Sequence, residues 1–198
     1  MTELLLVRHG RPESGMFDPP LDSVGRAQAG ALGRHLADEQ ITAVVCSSLR
    51  RARETASIAF QGHGLEPVPM DGLREWGLPA ESMKYVALEL LGVDTPQSRA
   101  IAEGRFMDFV PERVDVPSFR AAVRESFETI LAEHADGRIA VVCHGGTINA
   151  YLSQLVSIPD VFWFHPDYAS VSRVERKQGG RVVIRSLNET HHLLVESE

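Results

Sequence analysis

Two stretches decide the fold, Leu4-Leu5-Leu6-Val7-Arg8-His9-Gly10 and Ile139-Ala140-Val141-Val142-Cys143-His144-Gly145-Gly146. Each is a nearly unbroken apolar run that ends in a histidine followed by glycine. Such runs are typical of strands covered on both faces, as in a parallel sheet between two layers of helices. In these sheets ligands bind just beyond the carboxyl ends of the strands. The pattern therefore places both histidines where an open α/β fold builds its active site.

The composition is that of an ordinary globular domain, with 198 residues of which 43% are hydrophobic and 24% charged. No apolar run approaches the length of a membrane span, and the first residues lack the basic character of a signal peptide. The two cysteines, Cys46 and Cys143, end apolar runs and form no disulfide framework. We therefore expect one cytoplasmic domain over residues 1–198 that does not bind membranes.

Charge is distributed unevenly along the chain. The formal net charge of −7 argues against binding to nucleic acid or to anionic membranes. Against this acidic background, arginines gather at Arg8 and Arg11 and in the run Leu49-Arg50-Arg51-Ala52-Arg53. This clustering predicts a local anion site.

Strand and helix patterns alternate in the first third of the chain. Asp22 is a plausible N-cap for a helix over residues 23–37. The predicted buried face of that helix consists of Val24, Ala27, Ala31, Leu32 and Leu36. The apolar run 43–46 follows, and Ser47 or Ser48 is placed to cap the next helix. Crossovers of this length make neighbouring strands parallel.

The remaining chain completes the pattern after an irregular interruption. Glycine and proline are scattered through residues 61–116, and we expect residues 76–116 to form a lid insertion over the pocket. A helix near Pro117, a strand at 139–143, a helix at about 147–156 and a hairpin at 170–187 follow. The predicted fold is a three-layer α/β/α sandwich with a mostly parallel central sheet and an antiparallel edge strand.

Arg8 and His9 form the sharpest chemical signal. Glycine at position 10 lets the chain turn, so that both side chains converge beyond the strand. A guanidinium binds the non-bridging oxygens of a phosphoryl group, and its charge keeps a neighbouring imidazole neutral and nucleophilic. After His144, the glycines Gly145 and Gly146 permit close backbone approach, and the following helix directs free N–H groups at an anion.

Two further residues complete the predicted site. Arg51 lies early in the second helix and reaches back over the strand ends, whereas Arg50 and Arg53 are expected to be solvated. Glu75 stands in a loop beside Trp76, and an apolar surrounding raises a carboxyl pKa as a general acid requires. Each residue alone has a plain structural explanation, but their positions at matching strand ends favour one shared site.

Several motifs occur in an order that resembles the histidine phosphatase superfamily, which includes cofactor-dependent phosphoglycerate mutases and broad-specificity phosphatases. They cover most of residues 3–193. The motifs are Leu-Leu-Val-Arg8-His9-Gly10, Pro20-Leu21-Asp22 with Gly25 and Gln28-Ala29, Ser48-Leu49 with Arg51-Ala52 and Thr55-Ala56, Leu73 with Glu75, Val142-Cys143-His144-Gly145-Gly146, and Leu187-Asn188-Glu189-Thr190 with His192-Leu193.

The resemblance implies a role for each site residue. His9 is the nucleophile that becomes phosphohistidine, and Glu75 protonates the departing oxygen. The phosphoryl group is bound by Arg8, Arg51 and His144, with no metal ion and no organic cofactor. The chain departs from the family pattern at two positions of the loop after Arg8-His9-Gly10. These positions hold Pro12 and Gly15, where relatives often carry Thr and Asn. Arg11 and the backbone at Gly145 are the candidates to supply further contacts to the phosphate.

Four readings of function stay open. The leading one is a metal-independent phosphatase of small phosphate monoesters, and the runner-up is a cofactor-dependent phosphoglycerate mutase. The third is a non-catalytic module that binds phosphorylated ligands, and the last is a hydrolytic metal site on His9 and His144, disfavoured by the adjacent arginines. The aromatic cluster Phe162–His165 is predicted at the rim of the crevice or at a contact between copies, which leaves a homodimer open.

Overall fold

The structure is a computed structural model that describes residues 1–76 and 115–194, with the short pieces 95–96, 99–100, 103–105 and 108. Most of the predicted lid, residues 76–116, lies outside the described residues.

Six strands and four α-helices make up this part of the chain. The strands are β1 Thr2–Arg8, β2 Ile41–Ser47, β3 Val68–Met70, β4 Gly137–Cys143, β5 Val171–Arg176 and β6 Val182–Glu189. The helices are α1 Ser23–Leu36, α2 Arg50–Phe60, α3 Val116–Glu133 and α4 Gly145–Leu155. Short 3-10 helices occupy Gln61–His63, Asp71–Leu73 and His191–Leu193.

The strands form one sheet in the order β3-β2-β4-β1-β5-β6. β3, β2, β4 and β1 are mutually parallel, whereas β5 runs antiparallel to β1 and β6 antiparallel to β5. β4 lies between β1 and β2, with Arg8 paired to Cys143 in the register. The carboxyl ends of the three central strands therefore meet at one edge. The predicted mostly parallel sheet with an antiparallel edge is confirmed.

Helices cover both faces of the sheet. Since alternate residues of a strand point to opposite faces, each central strand packs against both helix layers. Leu5 and Val7 pack with α1 and α2, and Leu4 and Leu6 pack with α3 and α4. The unbroken apolar runs of the sequence thus reflect a sheet buried on both sides, and the three-layer sandwich is confirmed. None of the described helices has the length and apolar character needed to cross a membrane.

Helix α1 starts where the sequence predicts, and its buried face includes Leu32 and Leu36 of the five predicted residues. The Asp22 side chain accepts a hydrogen bond from the Gly25 N–H at 2.7 Å, which confirms the N-cap. The buried residues are Gly25, Ala29, Leu32 and Leu36, whereas Val24 is 41% exposed. Gly25 packs directly on the preceding loop, since a Cβ there would lie 2.0 Å from the Arg11 carbonyl oxygen. Gly25 and Ala29 thus occupy the buried face in the first half of the helix, where the sequence predicts Val24 and Ala27, which are exposed.

The start of α2 also differs from the sequence prediction. Neither Ser47 nor Ser48 caps it, and Leu49 occupies the N-cap position without a side-chain hydrogen bond. The Asp18 carboxylate instead accepts from the Arg50 N–H, with distances of 2.9 and 3.0 Å to its two oxygens. The loop after β1 therefore caps α2 and fixes the helix that carries Arg51.

Candidate active site

Four side chains from three strand ends meet in one buried cluster. Arg8 ends β1 and His9 follows it, Arg51 lies in the first turn of α2, and His144 follows β4. The ring centroids of His9 and His144 are 5.0 Å apart in an edge-to-face arrangement. The Arg51 Nε lies 3.2 Å from the His9 Nε2. All four residues are at most 7% exposed. The structure thus gathers the two imidazoles and two guanidiniums that the sequence pattern predicts.

The hydrogen bonds of His9 define its tautomer. Its Nδ1 lies 2.8 Å from the Gly10 carbonyl oxygen, which only accepts, so Nδ1 carries the proton. The lone pair is then on Nε2, where it accepts from the Arg51 Nε–H. Burial, then the charges of Arg51 and Arg8, lower the pKa of His9 well below its ordinary value. The ring is therefore a neutral imidazole whose nucleophilic nitrogen faces a cation.

His144 has a similar electrostatic environment. Burial, then Arg51, His9 and Arg8, lower its pKa well below the ordinary histidine value. Its Nε2 lies 2.8 Å from the Ser47 hydroxyl oxygen, and its Nδ1 is buried without a hydrogen-bond partner in the described part of the chain. If Ser47 donates to Nε2, the proton of the neutral ring resides on Nδ1.

The guanidinium of Arg8 is fixed from two sides. Its Nη1 donates to the Pro166 carbonyl oxygen at 2.6 Å. Its central carbon lies 3.9 Å from the centroid of the Tyr168 ring, which is cation–π geometry. The side chain is therefore held in one plane beside His9. No sequence pattern predicts this contact of Tyr168 with Arg8.

The Thr55 side chain connects the loop after His9 to α2. The Thr55 hydroxyl accepts from the Gly10 N–H at 3.0 Å and donates to the Arg51 carbonyl oxygen at 2.7 Å. This fully buried side chain therefore links the turn after His9 to the helix that carries Arg51. Arg50 and Arg53 on the same helix are exposed, as the sequence predicts.

Glu75 reaches the cluster from the loop after the 3-10 helix Asp71–Leu73. Its carboxylate accepts from the Gly146 N–H at 3.1 Å and from the Trp76 N–H at 3.0 Å. Burial raises its pKa, against the opposing effects of these two donors and of the site arginines. The close approach depends on the missing side chain of Gly146, because a Cβ at that position would lie 2.2 Å from the Glu75 Oε1. The glycine brings the acid against the N-terminal turn of α4.

Aromatic rings border this turn. The rings of Phe162 and Trp76 are stacked with centroids 4.9 Å apart, and the Phe162 ring lies 3.7 Å from where a Cβ of Gly145 would be. The Phe162–His165 cluster therefore lies at the rim of the site. The buried Asn149 amide donates to the carbonyl oxygens of Gly145 and Phe164 at 2.9 Å and accepts from two N–H groups of the cluster. Sequence analysis missed Asn149, although a buried asparagine within a helix is unusual enough to mark it.

Arg11 lies apart from the other predicted phosphate ligands. Its Nε donates to the Asp22 carboxylate at 2.6 Å, and the side chain is 35% exposed. The structure therefore brings Gly145 into the group but not Arg11. Among residues 1–76, 115–194 and the short pieces between, no three histidine, cysteine or carboxylate side chains are placed to hold a metal ion.

Residues 4–190 match the histidine phosphatase superfamily, branch 1. The chain belongs to this family. It is similar to the probable phosphoglycerate mutase GpmB of Yersinia enterocolitica, with 27% identity over 211 residues that cover 98% of this chain and 95% of the relative. The resemblance found in the sequence is thereby confirmed, and the protein is an enzyme that acts on phosphoryl groups.

Solved structures share the fold. One is a mycobacterial glucosyl-3-phosphoglycerate phosphatase, with a TM-score of 0.75 and 24% identity, covering 95% of this chain and 99% of the other. Another is a phosphoserine phosphatase of Entamoeba histolytica in complex with phosphoserine, with a TM-score of 0.74 and 21% identity, covering 98% and 100%. Because the sequence identity is below 25% in both cases, this similarity shows a shared fold and nothing more.

Proposed function

We propose that this protein hydrolyses phosphate monoesters of small molecules through a phosphohistidine on His9. The observation that carries the proposal is the pair of hydrogen bonds that fixes the orientation and tautomer of the His9 imidazole. Its Nδ1–H is fixed on the Gly10 carbonyl, and its Nε2 lone pair faces the guanidinium of Arg51. A neutral, oriented imidazole beside concentrated positive charge is what attack on a phosphate dianion requires.

The first half-reaction transfers the phosphoryl group to the enzyme. Arg8, Arg51 and the free N–H groups at the start of α4 neutralise the non-bridging oxygens. The His9 Nε2 then forms a bond to phosphorus while the ester P–O bond breaks. Glu75 gives its proton to the departing oxygen, and the alcohol leaves. The Gly10 carbonyl oxygen, which still accepts the hydrogen bond from the His9 Nδ1–H, stabilises the positive charge on the phosphorylated ring.

The second half-reaction returns the enzyme to its starting state. The Glu75 carboxylate takes a proton from water, and the water oxygen attacks phosphorus as the P–N bond breaks. Inorganic phosphate leaves, and His9 is again neutral with its lone pair on Nε2. The raised pKa of Glu75 suits both halves, because a carboxyl titrating nearer to neutral pH both gives and takes a proton readily.

A second candidate is phosphoglycerate mutase, favoured by similarity over nearly the full length to a probable enzyme of that name. A mutase must hold its phosphoenzyme against water while substrates exchange. Primed with 2,3-bisphosphoglycerate it interconverts the 2- and 3-phosphoglycerates, whereas a phosphatase releases inorganic phosphate at a steady rate. Measuring both products from the same reaction separates the two.

Trapping the phosphoenzyme tests the chemistry directly. Rapid quenching with a ³²P-labelled monoester should leave label that is stable to alkali, labile to acid and mapped to His9. His9→Ala should leave none, and Arg51→Ala should lose most of it. Arg53→Ala, on the exposed side of the same helix, is the matched control and should label normally. Unlabelled wild-type protein that still binds phosphate esters would indicate a binding module and end the proposal.

A further inference from the structure

The backbone of Arg8 and His9 is held by the segment Tyr168–Ser170, which precedes β5. The Arg8 N–H donates to the Ser170 carbonyl oxygen at 3.2 Å. The Ala169 N–H donates in return to the carbonyl oxygens of Arg8 and His9, at 3.0 and 3.2 Å. This turn therefore sets where the strand ends and where the nucleophile begins.

Ala169 adopts a conformation that needs support. Its φ of 55° lies in the left-handed region, which is unfavourable for a residue with a Cβ. Such conformations persist where surrounding contacts fix them, and they concentrate at functional sites. The adjacent Tyr168 ring lies 3.9 Å from the Arg8 guanidinium and 5.7 Å from the His9 ring, between centroids. Any change in the turn at Ala169 therefore reaches both catalytic side chains.

His192 is the side chain that holds this turn. Its Nε2 lies 3.0 Å from the Ala169 carbonyl oxygen, and the residue is 7% exposed. Its Nδ1 is buried without a hydrogen-bond partner among the described residues, so the proton resides on Nε2 and is donated to Ala169. The ring stacks on His35 of α1, with centroids 5.0 Å apart and planes 8° apart.

The neighbours of His192 favour its neutral form. Burial lowers its pKa, and the nearby His35 and His191 act in the same direction. The Ala169 carbonyl and Glu189 oppose them, while Glu39 and Arg173 act on the stacked His35. A neutral ring with its proton on Nε2 is the form that makes the bond to Ala169.

We propose that His192 is a positioning residue for phosphoryl transfer at His9. Its Nε2–H fixes the left-handed turn at Ala169, and that turn aligns the Arg8 guanidinium and the His9 imidazole. The catalytic part of this inference rests on the proposed phosphatase function. His192 does not touch the phosphate-binding Arg51 or His144, so its loss should affect turnover more than substrate binding.

Three variants separate positioning from general stability. His192→Leu removes the donor, and we expect kcat for phosphate release to fall about 10- to 100-fold, the usual consequence of misplacing reacting groups, while KM changes less than about threefold. His192→Gln places an amide N–H near the Nε2 position and should recover at least half of the loss on a logarithmic scale. His191→Leu changes an exposed residue of the same histidine group, 4.5 Å from His35 between ring centroids, and should retain wild-type kcat.

A second measurement needs no turnover. Imidazole ¹⁵N spectra report the titration of His9, whose pKa is depressed partly by Arg8. In His192→Leu the turn at Ala169 no longer holds the Arg8 guanidinium beside His9, so the pKa of His9 should rise toward its ordinary value. In His192→Gln the pKa of His9 should stay near that of the wild type. All spectra are recorded well below the melting temperature of each variant.

The outcomes are distinct. If wild-type protein forms no phosphohistidine, the proposed function fails, and the His9 titration alone still decides the positioning role. If His192→Leu keeps kcat within twofold and leaves the His9 titration unchanged, or if the glutamine variant is as impaired as leucine, the inference about His192 is wrong.

Discussion

Replacing Gly146 with alanine should disable Glu75 without removing it. A Cβ at position 146 would lie 2.2 Å from the Glu75 Oε1, whereas ordinary contact begins at 3.4 Å. We expect the carboxylate to retreat by about 1.2 Å, which weakens the hydrogen bond from the Gly146 N–H to the Glu75 Oε2. A misplacement of about 1 Å costs roughly 100-fold in rate, equivalent to about 2.7 kcal/mol in the activation barrier.

The assay compares two leaving groups. We expect kcat/KM for an alkyl phosphate, whose alkoxide needs a proton to depart, to fall about 100-fold in Gly146→Ala. For p-nitrophenyl phosphate, whose leaving group departs without one, the fall should be less than about fivefold. The ratio kcat/KM covers steps only through formation of the phosphoenzyme, so slow hydrolysis of phosphohistidine does not affect it. Thermal unfolding of both proteins shows whether α4 remains intact.

The neighbouring glycine provides the matched control. A Cβ at Gly145 would meet nothing closer than 3.7 Å, so Gly145→Ala should lose at least an order of magnitude less activity. The double variant Glu75→Gln/Gly146→Ala should be no slower than Glu75→Gln alone, because both changes act on one group. An alkyl phosphatase activity within threefold of wild type in Gly146→Ala would refute this reasoning, as would full additivity in the double variant.

Four further predictions follow from the same geometry. Arg51→Lys loses the Nε–H that faces His9 and should lower kcat by about 100-fold or more in steady-state assays, and a change below threefold would contradict the site. Exhaustive treatment with a chelator should leave activity within twofold; a loss restored by a divalent cation would instead support the hydrolytic metal site. The pKa values of His9 and His144 are lowered in the folded state, so the unfolded chain binds these protons more tightly, and stability should decline as the pH falls from about 6.5 toward the folded-state values. Scanning calorimetry should show Tm falling over that range, and less so in His144→Asn. Asn149→Leu strips hydrogen bonds from four backbone groups and should lower the free energy of unfolding by about 3 kcal/mol in urea titrations, with a loss under 1 kcal/mol counting against the role assigned to it.

The positions of Arg8, His9, Arg51 and His144 follow from local sequence patterns and one topological rule. Apolar runs predict buried strands, glycine predicts the turn that follows, and parallel strands bring their carboxyl ends to one edge. No knowledge of side-chain contacts is needed for this step, and the structure confirms that the four converge.

The supporting contacts depend on packing that no local pattern encodes. Gly25 is not part of the buried face that the sequence predicts for α1, yet its contact with the Arg11 backbone makes it part of that face. Asp18 caps α2 by accepting from the Arg50 N–H, 32 residues further along the chain, so the prediction that Ser47 or Ser48 caps this helix is wrong. Glu75 and Gly146 are in contact although they lie 71 positions apart in the chain. Only the folded structure shows that the carboxylate packs against the position where another residue would have its side chain.

The order of strands in the sheet has a consequence for biosynthesis. β1 and β2 are consecutive in the chain but separated in the sheet by β4, which begins only at Gly137. A nascent chain therefore carries His9 long before the neighbouring strand β4 and His144 have been made. Because long-range parallel pairing forms late, the cluster of Arg8, His9, Arg51 and His144 can assemble only after β4 has been made and has paired with β1.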